Sequence, residues 1–190
     1  LWNSGKSEVK YLNNINQTIV FNENDAKNIK DLNSKNAKVF EKTNIIDYSH
    51  DENYFNDFEK EVLLPYKQST LGPFISKGYI NNDSLMDIYI GGSKGNSGKI
   101  YLNTGEKFVY KPSKVFINDS NYEDMESLFI DFDDDGDEDL FVVSGGSEFN
   151  ERSTDLIDRL YINDGNGNFK KSKQDDLNNY TISGKSISKI

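Results

Sequence analysis

Residues 129–143, FIDFDDDGDEDLFVV, carry a spacing of carboxylates that could do chemistry, because six aspartates and a glutamate stand between two apolar runs. Calcium takes six to eight oxygen ligands at about 2.3–2.6 Å, and alternate residues of a tight loop can direct their carboxylates to one centre. Gly136 permits the sharp turn that such a loop needs, and Asp137 would offer its backbone carbonyl. The carboxylates at alternate positions, which we expect to bind the ion, are those of Asp131, Asp133, Asp135 and Asp139.

The residues around the carboxylates decide which kind of acidic loop this is. An EF-hand loop starts in the same way but needs a bidentate acid at its twelfth position, which is Val142 when Asp131 is the first. The flanks also alternate like strands rather than helices, and a dockerin-like loop fails for the same reason. The remaining alternative is a solvated acidic turn without an ion. In the calcium loop, Asp134 and Glu138 are expected to face water.

The loop belongs to an internal repeat, because residues 74–109 and residues 128–170 follow the same order of motifs. Each has an apolar run, an Asp/Asn-rich loop, an alternating run that ends in Gly-Gly, then KIYLN or RLYIN and a Gly-containing turn. Tyr79 aligns with Asp131, an offset of 131 − 79 = 52 residues, which suits a four-stranded propeller blade. The sequence therefore predicts an all-β chain with two four-stranded antiparallel blades of a partial β-propeller. The alternative is a pair of ordinary hairpins that happen to be alike.

The loop of the first repeat keeps only part of the ligand set. Tyr79 replaces the first acid, and Ser84 replaces the glycine. The oxygen donors that remain are Asn81, Asp83 and Asp87. Because fewer charges imply weaker binding, we expect either a weaker second calcium site here or an empty loop.

The composition restricts the partners of the chain. With 32 Asp and Glu against 22 Lys and Arg, the net charge is −10, which disfavours nucleic acid and anionic membrane surfaces. No apolar window approaches the length of a membrane span, and cysteine is absent, so thiolate sites and disulfides are excluded. The single histidine, His50, is expected to be an exposed connector residue. We therefore predict no catalytic residues and no enzyme activity.

The stretch FDDDGDEDLFV followed by RLYINDGNGNF resembles the FG-GAP or VCBS repeat, the blade unit of integrin-α-like β-propellers. The resemblance covers residues 72–172 as two blades, and it implies a calcium ion in the loop between the first two strands of a blade. It also implies a noncatalytic recognition or adhesion module of a secreted or cell-surface bacterial protein. Because two blades cannot close a ring, this chain is expected to be a fragment of a larger protein that supplies the remaining blades.

The N-terminal residues resemble the end of an ASPIC/UnbV segment, with Trp2-Asn3-Ser4-Gly5 where that family usually has Trp-Pro-x-Gly. Two short strands are predicted there, at residues 9–12 and 17–21. The expected organisation is this segment at 1–30, a connector at 31–71, blades at 72–120 and 121–175, and the start of a further blade at 176–190. The connector residues expected to pack on the propeller, with solvated acids between them, are Phe55, Phe58, Leu63 and Leu64.

A longer loop in the second repeat, residues 147–157, opens at the end of the blade opposite the calcium loop. The resemblance implies that this end contacts partners, and an ordinary variable loop is the alternative. The residues expected to contact a protein or glycan partner are Phe149, Asn150, Glu151 and Arg152. Two other functions stay open, namely an accessory propeller of a polysaccharide-degrading enzyme and a structural spacer.

Overall fold

A computed structural model describes residues 3–8, 10, 19–28, 43–173 and 180–189. The chain divides into two compact units, Leu1–Thr43 and Asn44–Ile190. Each unit is described by itself below, and the candidate functional residues all lie in the second one.

The first unit contains a small antiparallel pair of strands, β1 (Lys6–Ser7) and β2 (Lys27–Asn28). The strands predicted at residues 9–12 and 17–21 lie largely outside the described residues. Residues 19–21, which are described, are not in a strand.

The second unit contains two four-stranded antiparallel sheets, and each follows the simple order of a meander. The first sheet consists of β3 (Ile75–Gly78), β4 (Asp87–Ile90), β5 (Lys99–Asn103) and β6 (Phe108–Lys111). The second sheet consists of β7 (Asp124–Ile130), β8 (Asp139–Ser144), β9 (Arg159–Asn163) and β10 (Phe169–Lys171). The two meanders confirm the all-β prediction, although no closed propeller is formed by the described part of the chain.

The core lies between the two sheets. Successive side chains of a strand point to opposite faces, so Phe129, Leu140 and Tyr161, which stand opposite one another in the register, share one face of the second sheet. Tyr89 and Ile100 of the first sheet pack against this face, and all five side chains are at most 5% exposed. The alternation that predicted the strands therefore reflects one buried and one less buried face.

The innermost strands of the two sheets, β3 and β7, lie side by side. Ser127 Oγ donates a hydrogen bond to Ser76 Oγ at 2.7 Å, which joins the two strands directly. A Cβ atom on Gly78 would lie only 2.6 Å from Phe129 Cγ, so a larger residue would push the strands apart. The two sheets consequently pack against each other along β3 and β7.

The helices of the described residues are short: α1 (Asp57–Lys60), α2 (Lys114–Asn118) and 3₁₀ turns at Glu23–Asp25 and Thr154–Leu156. Helix α2 lies in the link between the two sheets and inserts Phe116 into the core, where its ring centroid is 4.9 Å from that of Tyr161. None of the helices in the described part of the chain could span a bilayer, since α2 has only 5 residues.

The connector before β3 is anchored by a buried carboxylate. Asp57 is fully buried, and it accepts hydrogen bonds from the N–H (3.2 Å) and the hydroxyl (2.6 Å) of Ser69. The hydroxyl of Ser147, in the loop after β8, also donates to Asp57. These hydrogen bonds lower the pKa of Asp57 although burial acts against them. The prediction that the connector acids stay solvated is therefore wrong for Asp57.

The apolar residues of the connector pack less than predicted. Leu63 is 97% exposed and Phe58 is 40% exposed, so neither side chain is covered by the sheets. Phe55 and Leu64 are half-buried. The spacing of apolar residues could not distinguish these cases, because the connector has no regular periodicity that assigns a buried face.

Candidate metal centre

The acidic loop between β7 and β8, residues 131–139, is called the second loop below, and the corresponding residues 79–87 are called the first loop. In the second loop, the two carboxylate oxygens of Asp131 accept the N–H groups of Asp135 (3.2 Å) and Gly136 (3.1 Å). Asp134 (φ 63°) and Gly136 (φ 96°) adopt left-handed conformations, which aspartate and glycine tolerate best. The chain therefore turns tightly around its own first carboxylate.

Three of the predicted ligands lie together. One carboxylate oxygen from each of Asp131, Asp133 and Asp139 lies within 4.8 Å of the other two. Two oxygens that are each about 2.3–2.6 Å from a calcium ion are at most about 5 Å apart, so these three fit a single ion. Asp135 and Asp137 are not part of this group. Asp135 Oδ1 accepts the N–H of Asp137 at 2.9 Å, and the Asp137 side chain turns toward the β9–β10 hairpin.

Asp139 fixes the loop to the second sheet. Its side chain is fully buried; one oxygen accepts the N–H of Asn163 (2.8 Å) and the other accepts the N–H of Phe132 (3.0 Å). Asp133, in contrast, is exposed. The group therefore combines a rigid buried carboxylate with a solvent-facing one, and the latter can be replaced without disturbing the core.

Negative charge accumulates in the second loop. Loss of hydration raises the pKa of Asp133, and the charges of Asp135, Asp139 and Asp131 raise it further. The pKa of Asp137 is raised as well, by loss of hydration and then by the neighbouring carboxylates. Each ionised carboxylate thus destabilises the others, and a bound cation would relieve this repulsion.

The first loop has the weaker ligand set but contains one unusual oxygen. Asn81 Oδ1 accepts the N–H of Asp83 (3.1 Å), and Asp83 Oδ1 accepts the N–H of Leu85 (2.8 Å). Asp87 is fully buried and accepts the N–H of Asn103 (2.7 Å) through Oδ1, whereas its Oδ2 has no hydrogen-bond partner among the described residues. Loss of hydration raises the pKa of Asp87. The Ile80 N–H also lies close enough to this carboxylate to act against that rise in pKa. A cation in this loop would give Oδ2 a stronger partner.

Glu138 departs from its predicted position. Its Oε2 accepts the N–H of Tyr79 at 2.6 Å, so this side chain contacts the first loop instead of facing only water. Asp134 is exposed, as predicted.

The loop at the other end of the second sheet, between β8 and β9, is only partly available to a partner. Phe149 is 6% exposed, and Lys94 Nζ lies 4.4 Å from its ring centroid, so most of this side chain supports the loop, although it also lines the groove described next. Asn150, Glu151 and Arg152 are exposed. They line an open groove of about 590 Å³ that also includes Lys60, Leu156 and Ile182.

His50 is half-buried and hydrogen-bonded, not exposed as predicted. Tyr48 Oη lies 2.9 Å from His50 Nδ1, and Glu52 Oε1 lies 2.6 Å from His50 Nε2. Both ring nitrogens are therefore engaged by connector residues, and the ring serves to hold the connector in place.

A buried ion pair at the junction of the sheets was missed from the sequence. Arg159 Nη2 pairs with Asp124 Oδ1, and both side chains are 3% exposed. Tyr89 donates its hydroxyl to Asp124 Oδ2 at 2.7 Å, and the Arg159 guanidinium lies 4.2 Å from the ring centroid of Tyr122. Burial alone would lower the pKa of Arg159, but the Asp124 carboxylate raises it, so Arg159 stays charged. The available signal was that Arg159 and Tyr161, two residues apart in β9, share one face of the strand, so an arginine falls on the face predicted to be buried.

Next to this pair lies a carboxyl group that sequence reasoning also missed. Glu123 is 4% exposed and accepts the N–H of Lys94 at 2.7 Å. Burial raises the pKa of Glu123 to about 8, and the nearby charges of Glu148 and Glu52 contribute. Glu123 is consequently protonated in a large share of molecules at neutral pH.

The chain contains two antiparallel four-stranded meanders that pack against each other, each with an Asp/Asn-rich loop between its first two strands, which is the strand order of β-propeller blades. Residues 80–142 match the FG-GAP-like repeat family. The match begins in the first loop and ends in β8, so it includes the whole second loop. It supports the predicted resemblance to FG-GAP repeats, while the ASPIC/UnbV resemblance stays a prediction. No curated protein matches the chain.

Proposed function

We propose that this chain is a noncatalytic, calcium-stabilised recognition module of a secreted or cell-surface protein. The observation that supports it most is the convergence of the Asp131, Asp133 and Asp139 carboxylates within 4.8 Å. Asp135 and the backbone carbonyl of Asp137 would complete the coordination. Asn81, Asp83 and Asp87 would form a weaker second site, and the unsatisfied Oδ2 of Asp87 favours a cation there.

Calcium suits the second loop better than magnesium does. Calcium accepts carboxylate oxygens in flexible, irregular geometries, whereas magnesium demands a near-ideal octahedron and keeps several waters. A loop whose ligands come from one short segment, with one rigid and one exposed carboxylate, meets the first requirement. Extracellular calcium modules bind with dissociation constants of about 10⁻⁴–10⁻³ M, and we expect this range for the second loop.

The outer face of the second sheet favours a larger assembly. Leu128, Phe141 and Leu160 stand opposite one another on the face that points away from the core. Leu160 is buried, but Leu128 and Phe141 are only half-buried. In a propeller, a neighbouring blade covers such a face, so we propose that a parent protein supplies further blades.

The recognition surface would lie at the β8–β9 loop. Asn150, Glu151 and Arg152 are exposed around a groove that also has apolar walls, which is the composition expected of a surface for a protein or glycan. FG-GAP-like repeats are generally noncatalytic and commonly extracellular, which supports both the absence of an enzymatic role and the proposed location.

Calcium binding is tested by titration calorimetry together with thermal melting. Wild-type protein in calcium at about tenfold above the expected dissociation constant should melt at a higher temperature than in chelator, because an ion that binds only the native state stabilises it. Magnesium at the same concentration should give a smaller shift. Replacing both Asp133 and Asp135 by Ala should remove the calcium response, and an unchanged response would reject the site.

Recognition is tested separately on a glycan array and with candidate surface proteins. Binding that requires calcium and is lost when Asn150, Glu151 and Arg152 are replaced together by Ala would support the recognition role. Turnover of a polysaccharide by the chain would instead favour the enzyme accessory function. Calcium binding without any ligand in either assay would favour the structural spacer.

A further inference from the structure

The first and second loops are joined by the side chain of Glu138. This residue immediately precedes the buried ligand Asp139, and its Oε2 accepts the N–H of Tyr79, the first residue of the first loop, at 2.6 Å. A Cβ atom on Gly78 would lie 2.6 Å from the same oxygen, so the carboxylate lies directly against the end of β3. A residue of one loop thus holds the start of the other.

A second connection runs through Asn163, at the end of β9. Its side-chain amide donates to Ile80 O in the first loop (2.9 Å) and to Glu138 O in the second loop (3.1 Å). Its backbone N–H donates to Asp139 Oδ1 at 2.8 Å. Asn163 is 4% exposed, so these bonds are shielded from water. One buried residue therefore contacts a ligand of the second loop and the backbone of both loops.

Asn103 is the corresponding residue of the first sheet, and comparison with it shows which bond of Asn163 joins the two sheets. Asn103 donates its N–H to Asp87 Oδ1 (2.7 Å) and its side-chain amide to Met86 O (3.2 Å), so it also supports the last acid of its own loop. Asn163 makes the equivalent bonds in the second sheet, but it also donates to Ile80 O in the first loop. Asn103 has no such bond to the other sheet among the described residues. The crossing bond makes the first loop depend on the second.

We propose that Glu138 and Asn163 couple the two loops, so that an ion in the second loop orders the first loop and raises its affinity for calcium. This inference rests on the proposed calcium site of the second loop. An ion held by Asp139 would restrain the adjacent Glu138 and the hydrogen bond to Asn163, and through them the backbone at Tyr79 and Ile80. The first loop, which has few charges, would then bind with less loss of conformational freedom.

The coupling is reciprocal, since any factor by which one ion raises the affinity of the other must hold in both directions. Coupling energies of this kind usually change affinity about 5- to 150-fold. We expect the lower part of this range, because among the described residues two hydrogen bonds cross to the first loop: from the Tyr79 N–H to Glu138 and from the Asn163 amide to Ile80 O.

The test follows backbone amide signals by NMR during a calcium titration of the complete chain. The Asp137 amide reports on the second loop, the Leu85 amide on the first, and hydrogen exchange of the Tyr79 amide on the connection. In wild type, filling the second loop should slow exchange at Tyr79. Asp133→Ala, which disables the second loop without touching the first, should weaken binding at Leu85 about fivefold or more.

Variants of the connecting side chain separate coupling from general stability. Glu138→Ala removes the acceptor for Tyr79 and should abolish the calcium-dependent slowing of exchange while the second loop still binds. Glu138→Gln keeps an acceptor oxygen and should restore most of the effect. Asp134→Asn removes a charge from the same loop without a contact to the first loop, and it should behave like wild type.

The outcomes distinguish this inference from the proposed function. If calcium fills the second loop but exchange at Tyr79 and affinity at Leu85 are the same with and without it, the coupling is wrong and the calcium site stands. Loss of the effect in Asp134→Asn as strongly as in Glu138→Ala would also overturn the coupling, because it would then reflect charge alone. If the second loop binds no calcium, the proposed function and the coupling are both wrong.

Discussion

Raising the pH from about 6 to about 8 should destabilise the protein through one buried carboxyl group, that of Glu123. Its pKa is raised from 4.5 to about 8 by burial and by nearby carboxylates. A group that binds its proton more tightly in the folded state contributes stability in full below its unfolded pKa. That contribution is lost as the pH rises through the folded pKa.

The size of the effect follows from the same two pKa values. Each pH unit between them costs at most about 1.4 kcal/mol of unfolding free energy, and the loss between pH 6 and pH 8 comes to about 2 kcal/mol. The pKa values of Asp87 and Asp158 are also raised chiefly by burial. A variant is therefore needed to isolate the share of Glu123.

The assay is urea unfolding in chelator at several pH values, so that no bound ion contributes. Glu123→Gln keeps an acceptor for the Lys94 N–H but cannot ionise, and it should flatten the decline between pH 6 and pH 8. Glu126→Gln, which changes a half-buried carboxyl three residues later on β7, should leave the decline intact. Wild-type stability that stays level or increases over this range, or a Glu123→Gln variant that still shows the full decline, would refute the reasoning.

Arg159→Leu should lower the unfolding free energy by about 3–5 kcal/mol, because it leaves the buried Asp124 carboxylate without its partner. The double variant with Asp124→Leu should lose clearly less in the same urea assay, and equal losses would contradict the ion-pair explanation. Gly165→Ala should cost about 1–3 kcal/mol and also weaken calcium binding, since Gly165 has φ 73° and its new Cβ would collide with the Asp137 carboxylate. Gly105→Ala is the matched control: it has φ 82°, but its new Cβ would meet only Leu85 Cδ1 at 3.9 Å, so calorimetry should show destabilisation without loss of calcium affinity at the second loop.

The parts of the fold that could be predicted from the sequence are those with a local cause. In β8, Leu140 and Val142 alternate with Phe141 because one face of the strand is buried, and this period of two is visible without a structure. The turn of the second loop follows from Gly136 in the same way. The grouping of Asp131, Asp133 and Asp139 also agrees with their spacing, because the ligands come from one segment.

The contacts that were missed all join residues far apart in the chain. Glu138 was expected in water because nothing in its own segment reveals that β3 ends beside it. Asp57 is buried through Ser147, 90 residues later, and Arg159 on β9 pairs with Asp124 on β7, 35 residues earlier. Phe149 was expected to be an exposed loop residue, because its own segment does not reveal that Lys94, in the loop between β4 and β5, lies against its ring. Such contacts depend on how the sheets pack, which local patterns do not encode.

The most direct test of the calcium site is the effect of Asp133→Ala on stability with and without calcium. Asp133 is exposed, and loss of hydration together with the charges of Asp135, Asp139 and Asp131 raises its pKa, so its charge is disfavoured when no ion is bound. The variant should therefore be at least as stable as wild type in chelator and clearly less stable than wild type in saturating calcium. A variant that is equally stable to wild type in both conditions, or less stable in both by the same amount, would contradict the account.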